Sequence, residues 1–77
     1  MITNSNLEDA EILRDDIEEF NNLMQAGYDE IAVGETETAE EYFSDACYVL
    51  DRIQNANTDI AKELENKYSI NPRDYAV

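Results

Sequence analysis

Apolar positions recur at steps of three and four along nearly the whole 77-residue chain, the period of a helix and not the alternation of a strand. In the first half the row is Ala10, Leu13, Ile17, Phe20, Met24 and Ile31, with Gly27 standing in the one vacant place. Ser5 and Glu8, three apart, have the form of a capping box, and Gly34 after Ala32-Val33 supplies a stop. The spacing predicts a first helix over about 6–33, weakened or kinked near Gly27. The second half gives Ala39, Phe43, Ala46, Leu50, Ile53, Asn57, Ile60 and Leu64, the same rhythm with a single polar member. Thr38 with Glu41 repeats the capping box, and Asn71-Pro72 closes the element, because the residue before proline leaves helical geometry. A second helix is predicted over about 39–68. The "NANT" stretch, residues 55–58, offers the alternative of a break in which Asn57 or Thr58 caps a third helix.

Between the two rows, "GETET" is too short for anything but an antiparallel return. The fold class expected is therefore all-α, a helical hairpin forming one small domain over 1–77, with a lead at 1–5 and a tail at 69–77. Each arm would be roughly 40 Å long at 1.5 Å per residue. Apolar content of 43% is enough for a core, although a chain of this length is near the lower end of what folds alone. The second helix carries a further apolar row, Tyr42, Val49 and Ala56, with Cys47 and Tyr48 nearby. Together these make an arc wider than one partner helix covers. Three covers are open: the tail residues Ile70, Tyr75 and Val77; a second copy, giving a homodimeric four-helix bundle; or a docked target.

Charge changes the picture most. Nineteen acids face five bases, for a net −14. Residues 1–45 hold fourteen acids and the single base Arg14, net −13, whereas residues 46–77 hold five acids and four bases, net −1. Lys62 and Lys67, near the end of the second helix, would fall beside the acidic start of the first. Nucleic acid and anionic membrane would be repelled, so a basic protein surface is the natural complement. On the outer side of the first helix Glu8, Glu11, Asp15 and Glu18 form one ridge, flanked by Asp16 and Glu19, and neighbours on that ridge repel. From Glu8 to Glu19 the axis advances about 16 Å, so seven acids less Arg14 leave one net charge per roughly 2.8 Å. Duplex DNA carries one per about 1.7 Å and a single strand one per about 3.4 Å. The turn end, Asp29 and Glu30 through Asp45, adds seven more acids and no base. Ordinary solvated helix faces intersperse both signs. Helix dipoles account for some of the bias, since Glu8, Asp9, Glu11, Glu40 and Glu41 sit near predicted N-termini.

Catalytic chemistry finds no footing. There is no His, no Gly-rich phosphate loop, and no Ser or Cys with an evident base. The carboxylates lie on predicted solvent faces, where nothing separates their pKa values. An enzyme is not expected, nor a cofactor. "DEIAVGETETAE", Asp29 to Glu40, has the length and the terminal acids of an EF-hand loop, but Ile31 and Val33 occupy two ligand positions, and no metal site is expected. The lone Cys47 excludes an internal disulfide and reads as a buried thiol in a reducing cytoplasm. No apolar run is long enough for a membrane span, and no signal peptide is expected. The terminal "YAV" has the form of some PDZ-binding tails, or of a tail packed back on the core.

"GETETAEEYFSDACYVL", Gly34 to Leu50, resembles the second half of a tetratricopeptide repeat, with Gly34, Ala39, Phe43 and Ala46 at that family's spacing and Gly27 where its first-helix small residue stands. The pattern departs at Glu30 and Asp51 and covers a single repeat. The same spacing serves any tightly packed helix pair. The resemblance implies a protein-binding module without chemistry. In size, charge and charge spacing the chain is also similar to the acidic nucleic-acid mimics that phages deploy against restriction, CRISPR or DNA-repair enzymes. The function expected is thus an acidic inhibitor that occupies the basic groove of a nucleic-acid-handling protein through Glu8, Glu11, Asp15, Asp16, Glu18, Glu19, Asp29 and Glu30. The rival is an adaptor or assembly subunit working through Tyr42, Val49 and Ala56.

Overall fold

The computed structural model of the chain describes residues 4–76, with side chains described from Glu11 onward. The protein is all-helical: α1 spans Asn4–Ala32, α2 Thr36–Ala56 and α3 Thr58–Lys67, and a 3-10 turn at Pro72–Tyr75 closes the described chain. Arg52 of α2 meets Asp16 and Glu19 of α1, while Phe43 meets Tyr28, so α1 and α2 run antiparallel. The result is an elongated body of 51 × 21 × 16 Å. The capping box at Ser5 and Glu8, like the core position Ala10, lies outside the described side chains.

The return between α1 and α2 is a Schellman turn. Gly34 adopts φ +83°, a left-handed conformation that glycine takes without steric cost. Its N–H donates to the Ile31 carbonyl at 3.0 Å, and the Glu35 N–H reaches back to Glu30 at 2.8 Å, satisfying carbonyls a helix end would otherwise orphan. The Ala39 N–H already donates to the Glu35 carbonyl, so α2 starts at Thr36. The expected start at residue 39 is corrected accordingly: Thr38 lies inside the helix, and Glu35 flanks it with no side-chain cap.

The second predicted helix is also not continuous. Asn57 is extended at φ −158°, ψ 104°. Its N–H finishes α2 on the Ile53 carbonyl at 2.7 Å, and its own carbonyl receives the Ala61 N–H at 3.1 Å. The Asn57 Oδ1 accepts from the Ile60 N–H at 3.1 Å. An asparagine side chain competes with backbone partners in this way and is among the best N-caps. Asn57 is therefore a joint and not the polar member of a core stripe. Beyond the joint, Ala61, which was not in the expected row, is buried together with the expected Leu64.

Phe20, Met24, Ala39, Phe43, Ala46, Leu50 and Ile53 are sealed between α1 and α2. Gly27 permits the closest approach: a Cβ built on it would stand 2.5 Å from Phe43 Cε1. α1 runs through Gly27 without interruption, so the residue serves packing and not a break. From that contact a chain of rings extends across α1, α2 and the segment that follows α3. Phe43 lies 5.8 Å edge-on to Tyr28 and 5.3 Å from Tyr75, and Tyr68 lies 6.0 Å from Tyr28 and 5.9 Å from Phe20. The Tyr68 hydroxyl donates to Asn21 Oδ1 at 2.6 Å, and the Tyr28 hydroxyl accepts from the Ile70 N–H at 3.0 Å. Of the three covers considered for the wide arc of the second predicted helix, the tail is the one seen, with Ile70 and Tyr75 packed against the core; Val77 lies outside the described residues. Ile31, expected in the core row, is 43% exposed, because the chain turns before α2 has anything to set opposite it.

Gly27→Ala should lower stability by about 1 kcal/mol. Displacing the Phe43 ring costs about 1–3 kcal/mol, against about 1 kcal/mol gained in helix propensity. Urea unfolding measures it, and an unchanged midpoint would mean the ring yields freely. Asn57→Ala should cost about 1 kcal/mol in the same assay, while Asn57→Asp, which still caps, should cost little.

Candidate acidic binding surface

Helical spacing sorts the acids of α1 into two rows. Glu11, Asp15 and Glu18 stand exposed on the outer ridge, at steps that make them neighbours. The side chain of Glu8 lies outside the described set. Asp16 and Glu19 flank the ridge on the side of α2, and Arg52 reaches both, at 3.4 Å and 3.0 Å. The acidic start of α1, against which Lys62 and Lys67 were expected to fall, lies largely outside the described side chains; among the described residues the ion pairs to α1 come from Arg52, and Lys67 donates to Asn21 of α1 at 3.2 Å. Arg52 was missed, although the turn position holds the signal. Arg52 lies eighteen residues after Gly34 and Asp16 eighteen before it, so an antiparallel return sets them opposite.

Arg73 of the 3-10 turn is committed internally as well. It donates to Asp51 Oδ1 at 2.7 Å and to Gln54 of α2, and pairs with Glu65 of α3 at 3.3 Å. Burial lowers its pKa, but the hydrogen bond to Asp51 and the charge of Glu65 outweigh that, and the net direction is upward. The guanidinium thus stays charged while it pins the tail across the α2–α3 joint. Nothing in the periodicity marks this role.

At the turn end the picture differs. Asp29, Glu35, Glu37, Glu40, Glu41 and Asp45 are exposed and Glu30 is half-buried. Among the described residues no ion pair involves any of them; Asp29 accepts a long hydrogen bond from Gln25 at 3.4 Å. Glu37, Glu40, Glu41 and Asp45 line one wall of a shallow groove whose other wall is Asp74, Tyr75 and Ala76. The tail thereby adds an acid that the sequence reading did not assign to this cluster. No group of acids suited to holding a metal ion occurs among the described residues.

The apolar row does not form one open face. Val49 is buried in the core at 3% exposure, Tyr42 is half-buried, and Ala56 is exposed beside Ile12 and Leu13 at the far end of the hairpin. Cys47 is buried and unbridged; burial first, then the charge of Asp51, pushes its thiol pKa up, which makes it a poor nucleophile. No helix among the described residues is long and apolar enough to cross a membrane. Gly27, Ala39, Phe43 and Ala46, which carry the tetratricopeptide resemblance, all meet at the α1–α2 interface. Comparison with protein-family models, curated proteins and solved structures finds no match for the chain.

With four ion pairs among the described residues set against a net charge of −14, self-repulsion dominates the electrostatics of the fold. Raising salt from about 10 mM to about 150 mM shortens the Debye length from about 30 Å to about 8 Å. The thermal midpoint should rise over that range. A falling midpoint would mean the Arg52 and Arg73 bridges outweigh the repulsion.

Proposed function

We propose that this chain is a non-enzymatic acidic protein that binds the basic surface of a nucleic-acid-handling partner and blocks it by presenting carboxylates in place of phosphates. The observation that carries the reading is where the counter-charges go. Arg52 and Arg73 are turned onto the chain's own acids, while Glu11, Asp15 and Glu18 on the outer ridge of α1 and the turn-end acids other than the half-buried Glu30 are exposed, and none of these acids has an ion pair among the described residues. Cations from outside are the remaining complement for those faces.

Arg52 also sharpens the charge arithmetic. Counting it with Arg14 leaves five net charges over the roughly 16 Å between Glu8 and Glu19, or one per about 3.3 Å, close to the spacing of about 3.4 Å on a single nucleic-acid strand. Glu11, Asp15, Glu18 and Asp29 form the α1 contact surface in this reading. Asp16 and Glu19 hold the hairpin together and contribute less. The class of protein this resembles is the nucleic-acid mimic used by phages in counter-defence, against CRISPR or restriction enzymes, working in the cytoplasm of the host cell. The assembly reading through Tyr42, Val49 and Ala56 loses the middle of its contact row to the core.

The test is capture of DNA- or RNA-binding proteins from a host lysate at low and high salt, with wild type beside Asp15→Lys/Glu18→Lys. Both residues are exposed, so the variant should fold. Capture should weaken steeply between about 50 and 200 mM salt and drop by at least tenfold in the variant. Capture that survives both changes would overturn the proposal.

A further inference from the structure

Four large apolar side chains stand exposed among the described residues, and two of them share one short segment: Ile31 at 43% and Val33 at 71%. Ala32 between them is exposed as well. This is the apex of the hairpin, where the left-handed Gly34 reverses the chain immediately after Val33. A polar residue would be the cheaper choice at such a turn. Asp29, Glu30, Glu35 and Glu37 surround the apex, and none of them has an ion pair among the described residues. An apolar tip inside a ring of uncompensated carboxylates has a defined complement: an apolar pocket rimmed by Lys and Arg.

We infer that the Ile31–Val33 apex is an anchor that seats in such a pocket on a basic protein partner, so that the acids steer the approach and the tip fixes the position. This rests on the acidic-surface reading above and adds a second, apolar component to it. A second copy of this chain is the wrong occupant, since two apices would bring two rings of like charge together. An anionic lipid surface is excluded on the same ground. The geometry also suits an anchor. The tip is small, projects from the end of a long body, and is held rigid by the two Schellman hydrogen bonds, so little ordering is lost on docking.

The test uses two synthetic peptides of equal length and equal positive charge as probes, one with Leu at steps of three and four among Lys residues, the spacing of a helix face, and one with Ser in place of each Leu. The ¹⁵N-labelled chain is titrated with each and followed by amide chemical shifts. Wild type should bind the Lys/Leu peptide about tenfold more tightly, the size expected for covering two partly buried aliphatic side chains, with shifts centred on Ile31 to Gly34. Ile31→Ser/Val33→Ser should lose that preference while its affinity for the Lys/Ser peptide is unchanged. Its own amide spectrum reports that it is folded. A preference that persists in the variant, or its absence in wild type, would overturn the anchor while leaving the acidic reading standing. Concentration-dependent shifts at the apex without peptide would assign it to a second copy and overturn the proposal. Failure to bind either peptide in a salt-sensitive way would sink the acidic reading and the anchor with it.

Discussion

The contact on which the rest of this structure depends is the Phe43 ring laid against the backbone of Gly27. A side chain of any size at that place would collide with the ring. Because there is none, α1 and α2 approach closely enough to seal Phe20, Met24, Leu50 and Ile53 between them. Phe43 also passes the constraint onward. Its other neighbours are Tyr28 and Tyr75, and Tyr28 in turn holds Tyr68 and the Ile70 amide. Five of the chain's seven aromatic residues thus form one continuous path from α1 through α2 to the tail. In a domain this small such packing has to substitute for the volume of a larger core.

The electrostatics work in the opposite sense and are sorted by position. The two arginines of the C-terminal half lie where elements meet, Arg52 between α2 and α1 and Arg73 across α2, α3 and the tail. Exposed ion pairs of this kind are individually worth little, about 0–1 kcal/mol, but they neutralise the acids at the seams, where repulsion would push elements apart. Among the described residues, most of the acids without an ion pair are exposed. Negative charge is therefore left uncompensated on the outer ridge of α1 and around the hairpin apex, while Arg52 and Arg73 are directed to the seams between elements. The proposed cation-binding surface rests on that division.

Particular residues show why some of this was legible and some was not. Gly34 announced both the end of α1 and, through equal spacing on either side, the register that brings Arg52 to Asp16. Local chemistry was enough there, because a left-handed turn and an antiparallel return leave one geometry. Asn57 was ambiguous, since its place in a helical row and its aptitude as an N-cap are both local properties pointing to different structures. The cap is the one formed: the Asn57 side chain accepts from the Ile60 N–H, and beyond the joint Ala61, outside the expected row, is buried. Thr38 had the right spacing for a cap and does not serve as one, since the Schellman turn had already delivered the chain into helix at Thr36. Arg73 and Asp74 carried no signal at all, because the residues they meet lie on other elements, eight or more positions away in the chain.

The sequence by itself determined the helical class, the hairpin return and the lopsided charge, all of which follow from periodicity, turn residues and composition acting over a few neighbouring positions. Only the tertiary structure decided which acids are spent on the chain's own arginines and which face outward, that Val49 belongs to the core, and that Ile31 and Val33 stand uncovered at the apex. Those outcomes depend on what lies opposite each side chain, and that is set by the closeness of two helices and the path of the tail, not by any residue's immediate neighbours in the chain.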